Sequence, residues 1–348
     1  MNPHDLLLRA AGPEDLDAFE RIAAASATGI TTLPADRAVL LDKLERSAQA
    51  FAATDDSSGE EIYLFVVEDL SSGRVIGTSG IAASAGFADR FYSYRNEMIV
   101  HASAALGASN RIHTLHLCHD LTGYTLLTSF YIEPAYEHTA APQLLSRARL
   151  LFIAEFAARF SDRIAAESPG LSDEAGRCPF WDAVGSRFFA MSYPQVERLT
   201  GGRNKAFIAE LMPQAPIYVP LLPEQAQWAI GQLHPVAELP FSILLDEGFD
   251  TETYVDIFDG GPTVDARVAM LKTVARSRRC GWQPSTNAAP SNGPWHLVAT
   301  ARSSGFRAVL RRASGVAGAW PLDADTAQQL RTDASSGLRV AALDGELA

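Results

Sequence analysis

The chain has 348 residues, enough for a large core and, by length, for more than one domain. Hydrophobic residues make up 47% and charged residues 20%, the balance of a soluble globular protein, while a net charge of −12 argues against nucleic acid or an anionic membrane as a partner. Cys118, Cys178 and Cys280 form no CxxC and no even framework, and no apolar leader or membrane-length run is present, so the expectation is a cytoplasmic chain without disulfides.

"LLLRAA" (6–11) reads as a first strand. Pro13 and the acids after it open a helix, whose apolar stripe is Leu16, Phe19, Ile22 and Ala23. A loop, "GITTLPAD" (29–36), ends at Asp36, which caps a second helix with Leu40, Leu41, Leu44, Ala48 and Phe51 at helical spacing. "EIYLFVVEDL" and "RVIGTSGIAAS" flank the turn signal "SSG" and predict a hairpin. A long irregular stretch (85–112) leads to strands at "HTLHLCHD" and "YTLLTSFYIEP", then to a helix from about 140 to 160 and a strand at "DRIAAES". The pattern predicts an α+β fold on a mainly antiparallel sheet with helices on its faces.

Further helices are expected at "CPFWDAVGSRFFAM", "PEQAQWAIGQLH" and "AELPFSILLDEGF", then a strand "TYVDIF" and a sharp turn "DGGP". After residue 272 the composition changes. A linker-like run (281–295) precedes short strands "HLVATAR", "FRAVLRR" and "GLRVAAL", so 272–348 is read as a small β-rich C-terminal appendage.

Polar clusters suggest chemistry without naming a reaction. His113, His116, His119 and Asp120 crowd one stretch. On a strand, residues three apart face opposite sides, which favours a polar strand end over a metal site, with Asp120 left as a carboxylate facing a cleft. "FYSYRNE" (91–97) brings Arg95 and Glu97 beside two tyrosines, either as a packed aromatic segment or as the lip of a polar site. Phe180, Trp181, Phe188 and Phe189 read as core. His234 ends a helix before a proline, where a helix dipole would favour its charged form. Its role is either structural or proton transfer. Asp256 and Asp259 lie at a strand end beside the two glycines of "DGGP", which a turn alone also explains.

Longer motifs carry a resemblance. The order of strand, two helices, strands, then a strand running into a long helix resembles the acyl-CoA N-acyltransferase (GNAT-like) fold. "SAGFADRFYSYRNEMIVHAS", "LCHDLTGYTLLTSFYIEP", "SDEAGRCPFWDAVGSRFF", "FIAELMPQAPIYVPLLPEQAQWAIGQLHP" and "GFDTETYVDIFDGGPT" closely resemble the arginine N-succinyltransferase family, above all the alpha subunits of its two-subunit arginine/ornithine branch. The resemblance implies a GNAT-like core over 1–271 that transfers succinyl from succinyl-CoA to the α-amino group of L-arginine, or of L-ornithine, opening a route of arginine breakdown. No metal is implied. A homologous beta subunit or self-association is the implied partner.

The family's succinyl-CoA position falls on Phe130, within the strand Ser129, Phe130, Tyr131, Ile132, and its proton-donor histidine falls on His234. A guanidinium needs carboxylates, for which Glu97, Asp120 and Asp256 are candidates, and a succinyl carboxylate needs a cation, for which Arg95 is the nearest motif-borne choice. Single-chain members read R-x-x-G-x-G at the start of the long helix, where this chain has Glu137, Ala140 and Pro142. That departure implies weak CoA binding by this chain alone. It leaves a second implied role, a weak or silent subunit supporting a CoA-binding beta subunit.

Overall fold

The run "IYLFVVED" is apolar on both faces because both faces of its strand are covered. In the computed structural model, which describes residues 2–26, 33–54, 58–87, 90–200 (backbone only for 198–200), 210–285, 293–313, 318–332 and 336–344, Tyr63, Phe65 and Val67 pack into one core cluster and Leu64 and Val66 into another. The second cluster holds the stripe Leu16, Phe19, Ile22 of helix α1 (Leu16–Ala25) and Leu40 and Leu44 of helix α2 (Arg37–Ala52). Asp36 caps α2, its carboxylate accepting from the N–H groups of Ala38 and Val39. The expected loop before it lies partly outside the described residues.

On the opposite face lies α3 (Ala141–Glu155), buried all round from Leu144 to Ile153. Phe152, fully buried, contacts the rings of Phe51, Tyr63, Phe65, Phe156, Phe160 and Phe306, with centroids 4.8–5.9 Å apart. Phe152→Ala is expected to lower stability by about 3–5 kcal/mol, a large part of a typical domain's total. Urea denaturation checks this; a loss below about 1 kcal/mol would mean that the core does not centre on this ring.

The strands are β1 (Leu6–Ala10), β2 (Ile62–Asp69), β3 (Arg74–Ala82), β4 (Ser93–Ser103), β5 (Ala108–Cys118), β6 (Thr125–Ile132), β7 (Arg163–Glu167), β8 (Ile217–Tyr218), β9 (Asp250–Val255), β10 (Pro262–Arg267), β11 (Arg278–Cys280), β12 (Trp282–Pro284), β13 (Trp295–Thr300), β14 (Arg307–Arg312), β15 (Trp320–Leu322) and β16 (Leu338–Ala342). Among the described residues, fourteen of them form one sheet in the order 11-16-13-14-1-2-3-6-7-10-9-4-5-8. Its pairs are antiparallel except β6 with β7. The fold is therefore α+β on a large, mostly antiparallel sheet.

Three expectations change. The stretch expected to be irregular is the long hairpin β4–β5, paired from Ser93↔Cys118 to Ser103↔Ala108. Its outer part has no buried face, with Met98 and Val100 more than half exposed, so no alternation marks it. The C-terminal region is β-rich, but it extends the main sheet through β14, which pairs with β1 at Leu8↔Ala308. Leu297, Phe306 and Leu310 enter the core around α3, so this region is not set apart as an appendage. Residues 286–292 of the linker-like run lie outside the described residues. Phe180 and Trp181 are fully buried, whereas Phe188 is 52% exposed rather than core. No helix among the described residues is long and apolar enough to cross a membrane.

Candidate active site

Strand β6 is locally broken. Thr78 pairs with Tyr131 but Gly80 pairs with Thr128, so Ser129 and Phe130 together oppose Ser79. This is a β-bulge, and at it Ser129 holds φ 53° while buried. A left-handed serine costs on the order of 1 kcal/mol, and such strain is concentrated at functional sites. Thr78 supports the bulge by donating its hydroxyl to the Ser129 carbonyl at 3.1 Å. On its other side β6 pairs with β7 only as far as Leu127↔Ala166, and then the two strands part.

The gap opens into a cavity of about 1070 Å³. Ser129, Phe130, Tyr131 and Ile132 line it, together with Asp256. Ala166 belongs to the core on α3, so Glu167, the next residue of β7, points to the opposite face. Because both residues line the cavity, it passes through the sheet at the parting of β6 and β7.

His234 does not itself line the cavity, although the next residues, Pro235 and Val236, do. Its N–H donates to the Pro169 carbonyl at 2.9 Å. It does not end a helix. It caps the short turn Pro235–Ala237, Nδ1 accepting from the Val236 N–H at 3.3 Å. The dipole expectation is thus reversed, and burial holds its pKa below the ordinary 6.5. Nε2 remains for proton exchange.

The "DGGP" turn is fastened by its own acids. Asp259 accepts from Gly261 N–H at 2.7 Å and Gly170 N–H at 2.8 Å, and Asp256 from Phe258 N–H at 2.6 Å. A Cβ on Gly261 would lie 2.3 Å from the Ser168 carbonyl oxygen, which explains the glycine. Asp256, Asp259, Glu167 and Glu197 are among the lining residues, with Lys43 and Arg149.

Arg95, Glu97 and Asp120 lie elsewhere. Glu97 is two residues along the same strand and so on the same face as Arg95, and the two pair directly. Arg95 also holds Asp120 at 2.7 Å, and Tyr254 donates to Asp120 at 3.4 Å. None of the three lines the cavity, and Arg95 is already matched by two carboxylates. His113 faces Asn96 and His116 faces Thr114 and Glu97. Among the described residues no three His, Cys, Asp or Glu side chains gather as metal ligands.

The start of α3 satisfies itself. Thr139 accepts from the Ala141 N–H at 3.2 Å, Pro142 has no N–H, and Leu144 donates to Ala140 O. In that first turn Gln143 alone keeps an N–H without a partner among the described residues. Ala140 takes φ −72°, so alanine is unstrained there. Glu137 lines the cavity close by.

Among the lining residues that escaped the sequence reading are Arg149 of α3 and Glu167, with Lys43 and Glu197. An arginine inside the apolar run "LLSRARLLF" was the available signal for the first. The acid ending "RIAAE" is a weaker signal for the second.

Residues 6–273 match the family model described as Arginine N-succinyltransferase beta subunit. Arginine N-succinyltransferase subunit alpha of Pseudomonas aeruginosa is 48% identical over 305 residues, 88% of this chain and 90% of that protein. Subunit beta of the same organism is 38% identical over 344 residues, 98% and 99% of the two chains. An Arginine N-succinyltransferase of Enterobacter sp. is 38% identical over 308 residues, 88% of each chain. The solved structure of arginine/ornithine succinyltransferase subunit AI from Pseudomonas aeruginosa superposes with a TM-score of 0.88 at 42% identity, covering 98% of this chain and all of that one. The alpha subunit is thus the nearer of the two subunit types, although the family model carries the beta name. With a family model spanning most of its length and relatives aligned over nearly all of it, this chain belongs to the arginine N-succinyltransferase family.

Proposed function

We propose that this chain transfers succinyl from succinyl-CoA to the α-amino group of L-arginine, with L-ornithine as a second acceptor, in the cytoplasm. The carrying observation is the bulged strand β6, which leaves its neighbour at the wall of a cavity that crosses the sheet. A strand that loses its partner has backbone N–H groups to offer a thioester carbonyl and the oxyanion that follows. We read residues 1–271 as a GNAT-like core on this basis, with 272–348 extending its sheet.

The step balances simply. Arginine's α-ammonium gives a proton to Nε2 of His234, and the free amine attacks the thioester carbonyl. The C–N bond forms, the attacking nitrogen releases its second proton to solvent, the C–S bond breaks, and the proton held by His234 passes to the CoA thiolate. The depressed pKa of His234 supports this, because the imidazole is neutral and basic at pH 7. Asp256 and Glu167, both lining the cavity, suit the acceptor's guanidinium.

A second reading has its own support. The self-satisfied start of α3 offers little to a pyrophosphate, as expected of a subunit that supports a homologous, CoA-binding beta subunit. Incubation with succinyl-CoA and L-arginine, alone and with such a subunit, separates the two. The transferase reading predicts arginine-dependent thiol release and succinylarginine by mass spectrometry, with α-amino-blocked arginine inert. Thiol release that needs the partner and ignores changes at His234 supports the silent role instead.

A further inference from the structure

Arg149 is 2% exposed, on the face of α3 that meets the cavity. Of its five N–H donors, three are engaged, all by neutral acceptors and all at long range. Nε donates to Ser146 O at 3.2 Å, Nη2 to Ser146 Oγ at 3.3 Å and Nη1 to Gly80 O at 3.4 Å. Two donors remain. The guanidinium stands over the Phe130 ring, 5.6 Å from its centroid.

Arg147, two residues earlier and also buried, is held by Asp246 and Glu247. Arg311, buried as well, donates to the neutral acceptors Thr326 Oγ1, Leu310 O and Gln329 Oε1, with Asp323 and Asp5 farther off. Arg149 has no such acid, and burial alone pushes its pKa down to about 9, so it is charged at neutral pH. A buried cation without an anion is unfavourable, and proteins keep one where a ligand supplies the anion.

Resting on the reading that this cavity takes succinyl-CoA, we infer that Arg149 is the specificity-determining residue that binds the terminal carboxylate of the acyl group. Its position supports this. The ring it covers belongs to Phe130, in the strand that would hold the thioester. Glu167 and Asp256, which also line the cavity, repel a carboxylate. The two charged ends of the reacting pair are thereby sorted, with the acyl carboxylate toward α3 and the acceptor's guanidinium toward the acids. The planar fork of arginine matches a carboxylate with two parallel bonds.

The test compares succinyl-CoA with butyryl-CoA, of equal chain length but ending in a methyl group. Both are titrated by calorimetry into the wild type and into Arg149→Met, with no acceptor amine present. The wild type should prefer succinyl-CoA. The variant should lose roughly 10- to 150-fold on succinyl-CoA and hold its affinity for butyryl-CoA, which also shows that it is folded. As a ratio, the comparison survives weak absolute binding. A variant that keeps the preference, or a wild type without one, overturns the assignment. Should the methionine variant not fold, Arg149→Lys carries the test. It keeps a charge but not the fork, so its preference should fall without disappearing, and an undiminished preference overturns the assignment. If arginine is not succinylated, yet the wild type prefers succinyl-CoA and the variant does not, the transferase reading fails and the role of Arg149 stands.

Discussion

Replacing His234 with alanine is expected to lower kcat by on the order of 10²–10⁴-fold while leaving the thermal midpoint nearly unchanged. The side chain gives the fold little, one capping bond of 3.3 Å from Val236 to a short turn. The backbone bond from His234 N to Pro169 O, which ties the turn to the cavity wall, survives the change. The pH profile adds a readout that a structural role would not move. Burial lowers the pKa of His234 below 6.5, so the basic form is lost only as pH falls through that lowered value. The acid limb of kcat/KM should therefore lie below pH 6.5, and it should vanish in the alanine variant. A limb on the alkaline side of neutrality instead, or unchanged turnover in the variant, would return His234 to a capping role.

The second large effect concerns the start of α3. CoA should bind the isolated chain weakly. Glu137 adds repulsion of about 1 kcal/mol, and the donor missing at Pro142 adds about 1.5–3 kcal/mol for a bond to a charged group. Together these weaken affinity by on the order of tens- to a thousandfold. The triple change Glu137→Arg, Ala140→Gly and Pro142→Gly should recover part of it by removing a charge and restoring an N–H. Only local changes are involved, since Thr139 already closes the turn and Ala140 is unstrained. Calorimetry of CoA into both proteins decides. Micromolar binding by the unaltered chain, or no gain in the triple variant, would show that the pyrophosphate is held elsewhere and would remove the main support for the silent-subunit reading.

What could be read in advance followed the range of the interactions. Asp36 before α2, the hairpin around "SSG" and the passage from β6 into α3 are local signals, and each is found in place. The joining of β14 to β1 brings Ala308 beside Leu8, and no window of sequence contains that pairing. The β4–β5 hairpin escaped because half of it buries neither face. At the site, Phe130 and its neighbours came from family motifs and do line the cavity. Arg95 was chosen for its place in a motif, and its own neighbours Glu97 and Asp120 take up its charge. Arg149 was hidden for the opposite reason, a charge inside an apolar helix. Only the packing of α3 on the sheet shows that it has no acid beside it and an opening in front of it.

The central claim is that acyl transfer takes place where β6 leaves β7. Hydrogen–deuterium exchange, residue by residue and with saturating succinyl-CoA, tests it most directly. The amides of Ser129 to Ile132, beyond the last rung at Leu127↔Ala166, should slow on binding as they take up the thioester carbonyl, with slowing also at Val236 to Leu239 across the cavity. Protection confined to other surfaces, with these amides exchanging as in the free chain, would contradict it.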